Sequence, residues 1–143
     1  VKLPVKPSKK IRFQVGEKPT APMRILMVED HFLNQLATKK VLLSWSEYVT
    51  VDIAENGQLG YEAVAEKNYD LVLMDIQMPR LNGLETIKGL RAHPELASIP
   101  IIALTALAMP GDRERCLEAG ANEYMTKPVG LKNLLEMLER FLQ

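Results

Sequence analysis

The chain has 143 residues, 47% of them hydrophobic and 25% charged, with 18 basic groups balanced by 18 acidic ones. These values describe one ordinary soluble globular domain, long enough to bury a core without disulfides or a structural metal. No apolar run approaches the roughly 18 residues that span a bilayer, so no membrane contact is expected, and the lone Cys116 excludes an internal disulfide and fits a reducing, cytoplasmic setting.

Charge is unevenly placed along the chain. Residues 1–24 carry seven Lys or Arg and a single acid, Glu17, which leaves 11 basic against 17 acidic groups and a net charge of −6 for the remainder. Such an acidic body lacks the clustered cations that neutralise nucleic-acid phosphates, so no direct nucleic-acid partner is expected. The leader, residues 1–22, contains Pro4, Pro7, Pro19 and Pro22 with little apolar periodicity. It reads as a linker or the end of a preceding domain, with Lys9, Lys10 and Arg12 as solvated charge. Val1 in place of methionine carries the expectation of a segment cut from a longer chain. The folded domain is expected over residues 23–143.

From Met23 onward, strands and helices alternate five times. The first strand runs through Ile25-Leu26-Met27-Val28 and ends on Glu29-Asp30. A helix over about residues 32–44 follows, with Leu33, Leu36, Ala37, Lys40 and Val41 at helical spacing. The second strand spans 49–54, and Glu55-Asn56-Gly57 turns into a helix near 58–67 that buries Ala63 and Val64. The third strand, 70–74, ends on Asp75. Pro79 and Gly83 then punctuate a turn before a helix over about 84–92. The fourth strand covers 100–104 and ends on Thr105. Pro110 is expected at the first position of the next helix, with Gly120 terminating it near Ala119. The fifth strand, 123–126, ends on Lys127, and a last helix over 131–142 places Leu131, Leu134, Leu135, Leu138 and Phe141 on one stripe. Trp45, Met27 and Met74 read as packing material, and Cys116 as a small buried thiol.

Near-continuous apolar strands separated by helices predict an α/β, doubly wound parallel sheet. Open sheets of this kind bind ligands where the strands' carboxyl ends form a crevice. Glu29, Asp30, Asp75, Thr105 and Lys127 should therefore meet at one rim. Two unit charges about 4 Å apart repel by about 4 kcal/mol at an effective dielectric of about 20, so three acids there need raised pKa values or a cation. All-oxygen ligands favour Mg²⁺ or Mn²⁺ over zinc. His31 reads as a surface residue opening the first helix, and His93 as a loop residue before Pro94.

Glu29-Asp30, Asp75, Thr105-Ala106 and Lys127-Pro128, with the loop from Asp75 to Gly83, Gly120-Ala121 and Tyr124, resemble the signature of the two-component response-regulator receiver domain over residues 23–143. The resemblance implies a flavodoxin-like five-stranded sheet in order 2-1-3-4-5 with five helices. It also implies phosphorylation of Asp75 from a partner phosphohistidine, on a histidine kinase or a histidine phosphotransfer domain. Mg²⁺ (or Mn²⁺) would be held by Asp30, Asp75 and the backbone carbonyl of Gln77, with Glu29 reaching it through water. Thr105 and Lys127 would hold the phosphoryl oxygens, and Lys127-Pro128 would be a cis peptide. Gln77 and Leu107 occupy the positions that tune hydrolysis of the acyl phosphate, from which slow to intermediate autodephosphorylation is expected. Thr105 and Tyr124 would switch the face made by helix four, strand five and helix five, and a weak homodimer through that face is a further expectation.

Asn34-Gln35 resembles receivers fused to hybrid histidine kinases, so a place in a hybrid sensor kinase is expected, with no output unit after the last helix. A free-standing single-domain regulator is the alternative. A phosphorylation-independent binding module and a Mg²⁺-dependent phosphohydrolase are weaker ones, since the module would commonly lose an acid or the lysine and the hydrolase would want an acid where Gln77 stands. Whether the chain counts as an enzyme in its own right is left open by the sequence, because a receiver promotes its own phosphorylation and dephosphorylation without conventional turnover.

Overall fold

A computed structural model describes residues 21–78, 83–96, 98–106 and 108–142, with the side chains of 139–142 outside the description. The leader up to residue 20, residues 79–82, where a turn was expected, and Leu107 therefore lie outside the described residues. Five strands, β1 (Met23–Val28), β2 (Val49–Ala54), β3 (Leu71–Asp75), β4 (Ile101–Thr105) and β5 (Glu123–Thr126), alternate with α1 (Phe32–Leu43), α2 (Gly57–Glu66), α3 (Gly83–Arg91), α4 (Asp112–Ala119) and α5 (Leu131–Leu142). A single 3-10 turn, Pro94–Leu96, precedes β4. All strand pairs are parallel, in the expected order β2-β1-β3-β4-β5.

The sheet separates two cores. β3 and β4 are buried at every position, because helices cover both faces and alternate side chains enter opposite clusters. Leu26, Val28, Val72, Met74, Ile101 and Ala103 join Val64, Ile87, Leu90 and Cys116 beneath α2, α3 and α4. Ile25, Met27, Leu71, Leu73, Ile102 and Leu104 join Leu42, Trp45, Leu134 and Leu138 beneath α1 and α5. The expected stripe on α5 is borne out at Leu134, Leu135 and Leu138; Leu131 is partly buried, and Phe141 lies outside the described side chains.

Two local expectations are corrected. On α1 the apolar residues at helical spacing do not face the sheet: Leu33 is 67% exposed and Leu36 49%, while Gln35, Thr38 and Leu42 are buried. Hydrophobic spacing misled because the inward face carries two polar side chains, one of which bonds the backbone below it. The start of α4 is the second correction. Gly111 adopts φ +84 and ends any helical path from Pro110. The Asp112 carboxylate instead takes the Met109 N–H at 2.8 Å, closing a turn before the helix begins.

At the other end of α4 the expectation holds, with Gly120 at φ +120 and Ala121 N–H donating to Cys116 O at 3.0 Å. Asn56 caps α2 by accepting from Leu59 N at 2.8 Å. β3 and β4 each run one residue further than the apolar pattern implied, so Asp75 and Thr105 are the last residues of their strands rather than the first residues of loops.

Candidate functional site

Strand pairing fixes where the polar tips fall. Asp75 pairs with Leu104, and Thr105 pairs with Thr126, so Asp75, Thr105 and Lys127 stand on three adjacent strand ends. Lys127 N donates to Thr105 O at 2.7 Å, extending the β4–β5 ladder by one bond and aiming the lysine back across the rim. The Lys127-Pro128 peptide is cis, as the family resemblance implied. Glu29 N–H donates to Ala54 O at 2.9 Å and fixes the acid at the tip of β1.

Glu29 and Asp75 are buried and Asp30 is exposed, and ligand oxygens of all three lie within 4.8 Å of one another. Lys127 Nζ donates to Glu29 Oε1 at 2.7 Å and sits 3.3 Å from Asp75 Oδ2. Asp75 Oδ1 accepts from Gln77 N at 2.9 Å, so both of its oxygens are oriented. Burial pushes the Glu29 carboxyl above its usual range; Lys127 opposes that shift and the neighbouring Asp75 adds to it.

Three carboxylates against one ammonium leave a formal charge of −2, the complement of a divalent cation. The donors are all oxygen, one of them exposed at the opening, which suits a hard ion that keeps several waters. The residues present therefore fit Mg²⁺ or Mn²⁺.

Thr105 is fully buried. Beyond it, Ala106 N–H donates to Gln77 Oε1 at 3.0 Å, tying the loop after β4 to the loop after β3. Tyr124 is half-buried, and its hydroxyl is the one buried side-chain polar atom left without a hydrogen bond among the described residues. Burial raises its pKa. A groove of about 610 Å³ runs beside it, lined by Thr126, Asn133, Glu136 and Met137.

His31 is exposed at the head of α1, where its backbone N–H donates to Glu29 Oε2 at 3.1 Å and its side chain caps nothing. His93 is engaged by the Tyr61 hydroxyl, away from the acids. Cys116 is buried, and burial raises its thiol pKa, which keeps it protonated and inert. Sequence reasoning missed Gln35, whose buried side-chain Nε2 donates to Glu29 O at 2.7 Å. No local signal marked it, because the apolar residues at helical spacing stand on the exposed face of α1.

The family profile described as "Response regulator receiver domain" matches residues 25–139. The polar-differentiation response regulator DivK of Brucella anthropi is 38% identical over 121 residues, covering 85% of this chain and 97% of that protein. The receiver domain of sensor histidine kinase PA1611 from Pseudomonas aeruginosa, solved with a magnesium ion coordinated in its active-site cleft, is 37% identical with a TM-score of 0.75, over 85% of this chain and 98% of that one. The signal receiver domain of a signal transduction histidine kinase from Syntrophus aciditrophicus is 31% identical with a TM-score of 0.73, over 84% and 89%.

Proposed function

Since the chain belongs to the response regulator receiver family and is a phosphoacceptor of two-component signalling, we propose that Asp75 is the residue phosphorylated, with a phosphohistidine on a partner kinase or phosphotransfer domain as donor. One observation carries this reading: Lys127 Nζ lies 3.3 Å from Asp75 Oδ2 inside a notch of three acids.

An Asp75 carboxylate oxygen attacks the phosphorus, the bond from phosphorus to the donor's ring nitrogen breaks, and that electron pair returns to the imidazole. Phosphoryl transfer through a loose transition state demands in-line placement and neutralised equatorial oxygens more than a strong nucleophile. Gln77 N–H holds Asp75 Oδ1, which limits rotation of the carboxylate. Lys127 brings a fixed ammonium to the transferred group, and the Thr105 hydroxyl donates a hydrogen bond to it in this reading. Asp30, Asp75 and the Gln77 carbonyl are the ligands assigned to the cation, with Glu29 acting through water. When bound, Mg²⁺ (or Mn²⁺) neutralises charge on the phosphoryl oxygens.

Once phosphorylated, Asp75 offers new acceptors to Thr105, and Tyr124 follows into the space that Thr105 leaves. The unpaired Tyr124 hydroxyl supports this, because it has no bond to lose on moving. The face of α4, β5 and α5 then reports the phosphate, and is the surface for a weak homodimer. Gln77 and Leu107 tune hydrolysis toward slow to intermediate loss of phosphate.

The expectation of a hybrid sensor kinase gives way to a free-standing regulator as the favoured context, supported by the near-full coverage of DivK. Attachment to a kinase is the second reading, favoured by the similarity to two kinase receivers. Incubation with Mg²⁺ and acetyl phosphate, read by intact mass, should add one phosphate that is lost in Asp75→Asn. Unmodified wild-type protein would point to a binding module instead, and repeated turnover of small phosphoesters to a phosphohydrolase.

A further inference from the structure

Every polar atom of Glu29 is engaged: its N–H by Ala54 O, Oε1 by Lys127, Oε2 by the His31 N–H, and its carbonyl by Gln35 Nε2. Only the last of these comes from a helix side chain. Gln35 is 7% exposed, on the inward face of α1, and its 2.7 Å bond is made in a desolvated setting where a lost partner is costly.

The peptide unit is planar, so the Glu29 carbonyl lies in one plane with the N–H and Cα of Asp30. Fixing that carbonyl fixes the plane from which Asp30 departs. α1 has no side-chain cap on His31 and no acid in its first turn, so its head is joined to the acidic loop through the Gln35 amide and the His31 N–H.

We propose that Gln35 is a positioning residue for the cation: without touching the ion, its amide holds the Glu29–Asp30 peptide in the orientation that presents both acids to the notch. The inference rests on the assignment of that notch as the cation and phosphoacceptor site. Groups that orient metal ligands typically contribute 10- to 100-fold in affinity.

The test uses Mg²⁺ alone. Gln35→Met keeps the length and volume of the side chain and removes the donor. Calorimetric titration should show about 10-fold weaker Mg²⁺ binding than wild type, with a correspondingly smaller rise in Tm between EDTA and Mg²⁺. A merely structural Gln35 would lower Tm equally in both conditions and leave Mg²⁺ affinity unchanged, which overturns the proposal. Should Gln35→Met fail to fold, the wild-type protein decides. Its Gln35 side-chain amide resonances should shift on Mg²⁺ saturation and the first turn of α1 should exchange more slowly, and unchanged signals overturn the proposal. Wild-type protein that binds no Mg²⁺ sinks the assignment of the notch itself, whereas equal binding by wild type and variant sinks only the role of Gln35.

Discussion

Lys127 Nζ and Glu29 Oε1, 98 residues apart in sequence, meet at 2.7 Å with side chains only 9% and 2% exposed. Removing one partner of a buried pair strands the other charge, at a cost of about 3–5 kcal/mol. Lys127→Met should therefore lose about 3 kcal/mol of stability at pH 8 in EDTA. Glu29 binds its proton more tightly folded than unfolded, since its pKa is raised above the usual 4.5. The fold accordingly gains stability as pH falls through that raised value and loses it as pH rises. The deficit of Lys127→Met should shrink as pH is lowered from 8 and Glu29 takes a proton, and on adding Mg²⁺. Urea unfolding across pH, with and without the cation, checks both; a deficit independent of pH and cation argues against the pair as the cause.

Gly83 opens α3 directly against the end of β3. A Cβ there would overlap the Asp75 carbonyl oxygen and stand 2.7 Å from Ile76 Cα, both backbone atoms that cannot swing aside. Gly83→Ala should destabilise by about 1–3 kcal/mol. It should also slow phosphorylation by acetyl phosphate by roughly 10-fold or more, because displacement of Asp75 spoils in-line geometry. Thermal unfolding and an intact-mass time course measure the two effects, and a variant with wild-type rates would show that the strand end accommodates the methyl.

Gln77 Oε1 accepts the Ala106 N–H at 3.0 Å across the two loops at the rim. In Gln77→Ala this amide should exchange with solvent about 5-fold faster, as expected for loss of a bond contributing about 1 kcal/mol. Amides in the centre of β4 should not change. Hydrogen exchange by NMR resolves them individually, and equal rates at Ala106 would mean that the loop is held by other contacts.

Far from the rim, the Tyr69 hydroxyl donates to Asp52 at 2.7 Å. This bond first, and Lys67 next, hold the Asp52 carboxyl below its usual 3.8. A depressed carboxyl contributes stability above its unfolded pKa and forfeits it as pH falls through the folded value. Tyr69→Phe should cost about 1 kcal/mol at pH 7 and progressively less below about pH 3.8, with phosphorylation unaffected. Urea midpoints at pH 7 and pH 3 give the comparison.

What could be read in advance divides along physical lines. Buried parallel strands leave near-continuous apolar runs, so β1 to β5 and their polar tips were legible, and the tips at Glu29, Asp30, Asp75 and Lys127 converge as the topology requires. Glycine at a left-handed position is also visible, as Gly120 was. The inward face of α1 was not, because Gln35 and Thr38 are buried by virtue of hydrogen bonding and depth rather than hydrophobicity. Gly111 was missed for a related reason: Pro110 is an acceptable helix start in isolation, and the left-handed Gly111 within the Asp112–Met109 turn excludes it. The Gln77–Ala106 bond joins residues 29 apart and leaves no trace in local pattern.

The sheet divides the interior into two compartments that share no side chain: Ile87 fills one and Leu138 the other. Truncations at these two positions should therefore sum to within about 0.5 kcal/mol in the double variant, as independent lesions do. Asp75 answers to both storeys, through Met74 in one and Leu73 in the other, so a lesion on either floor reaches the doorway at the top of β3.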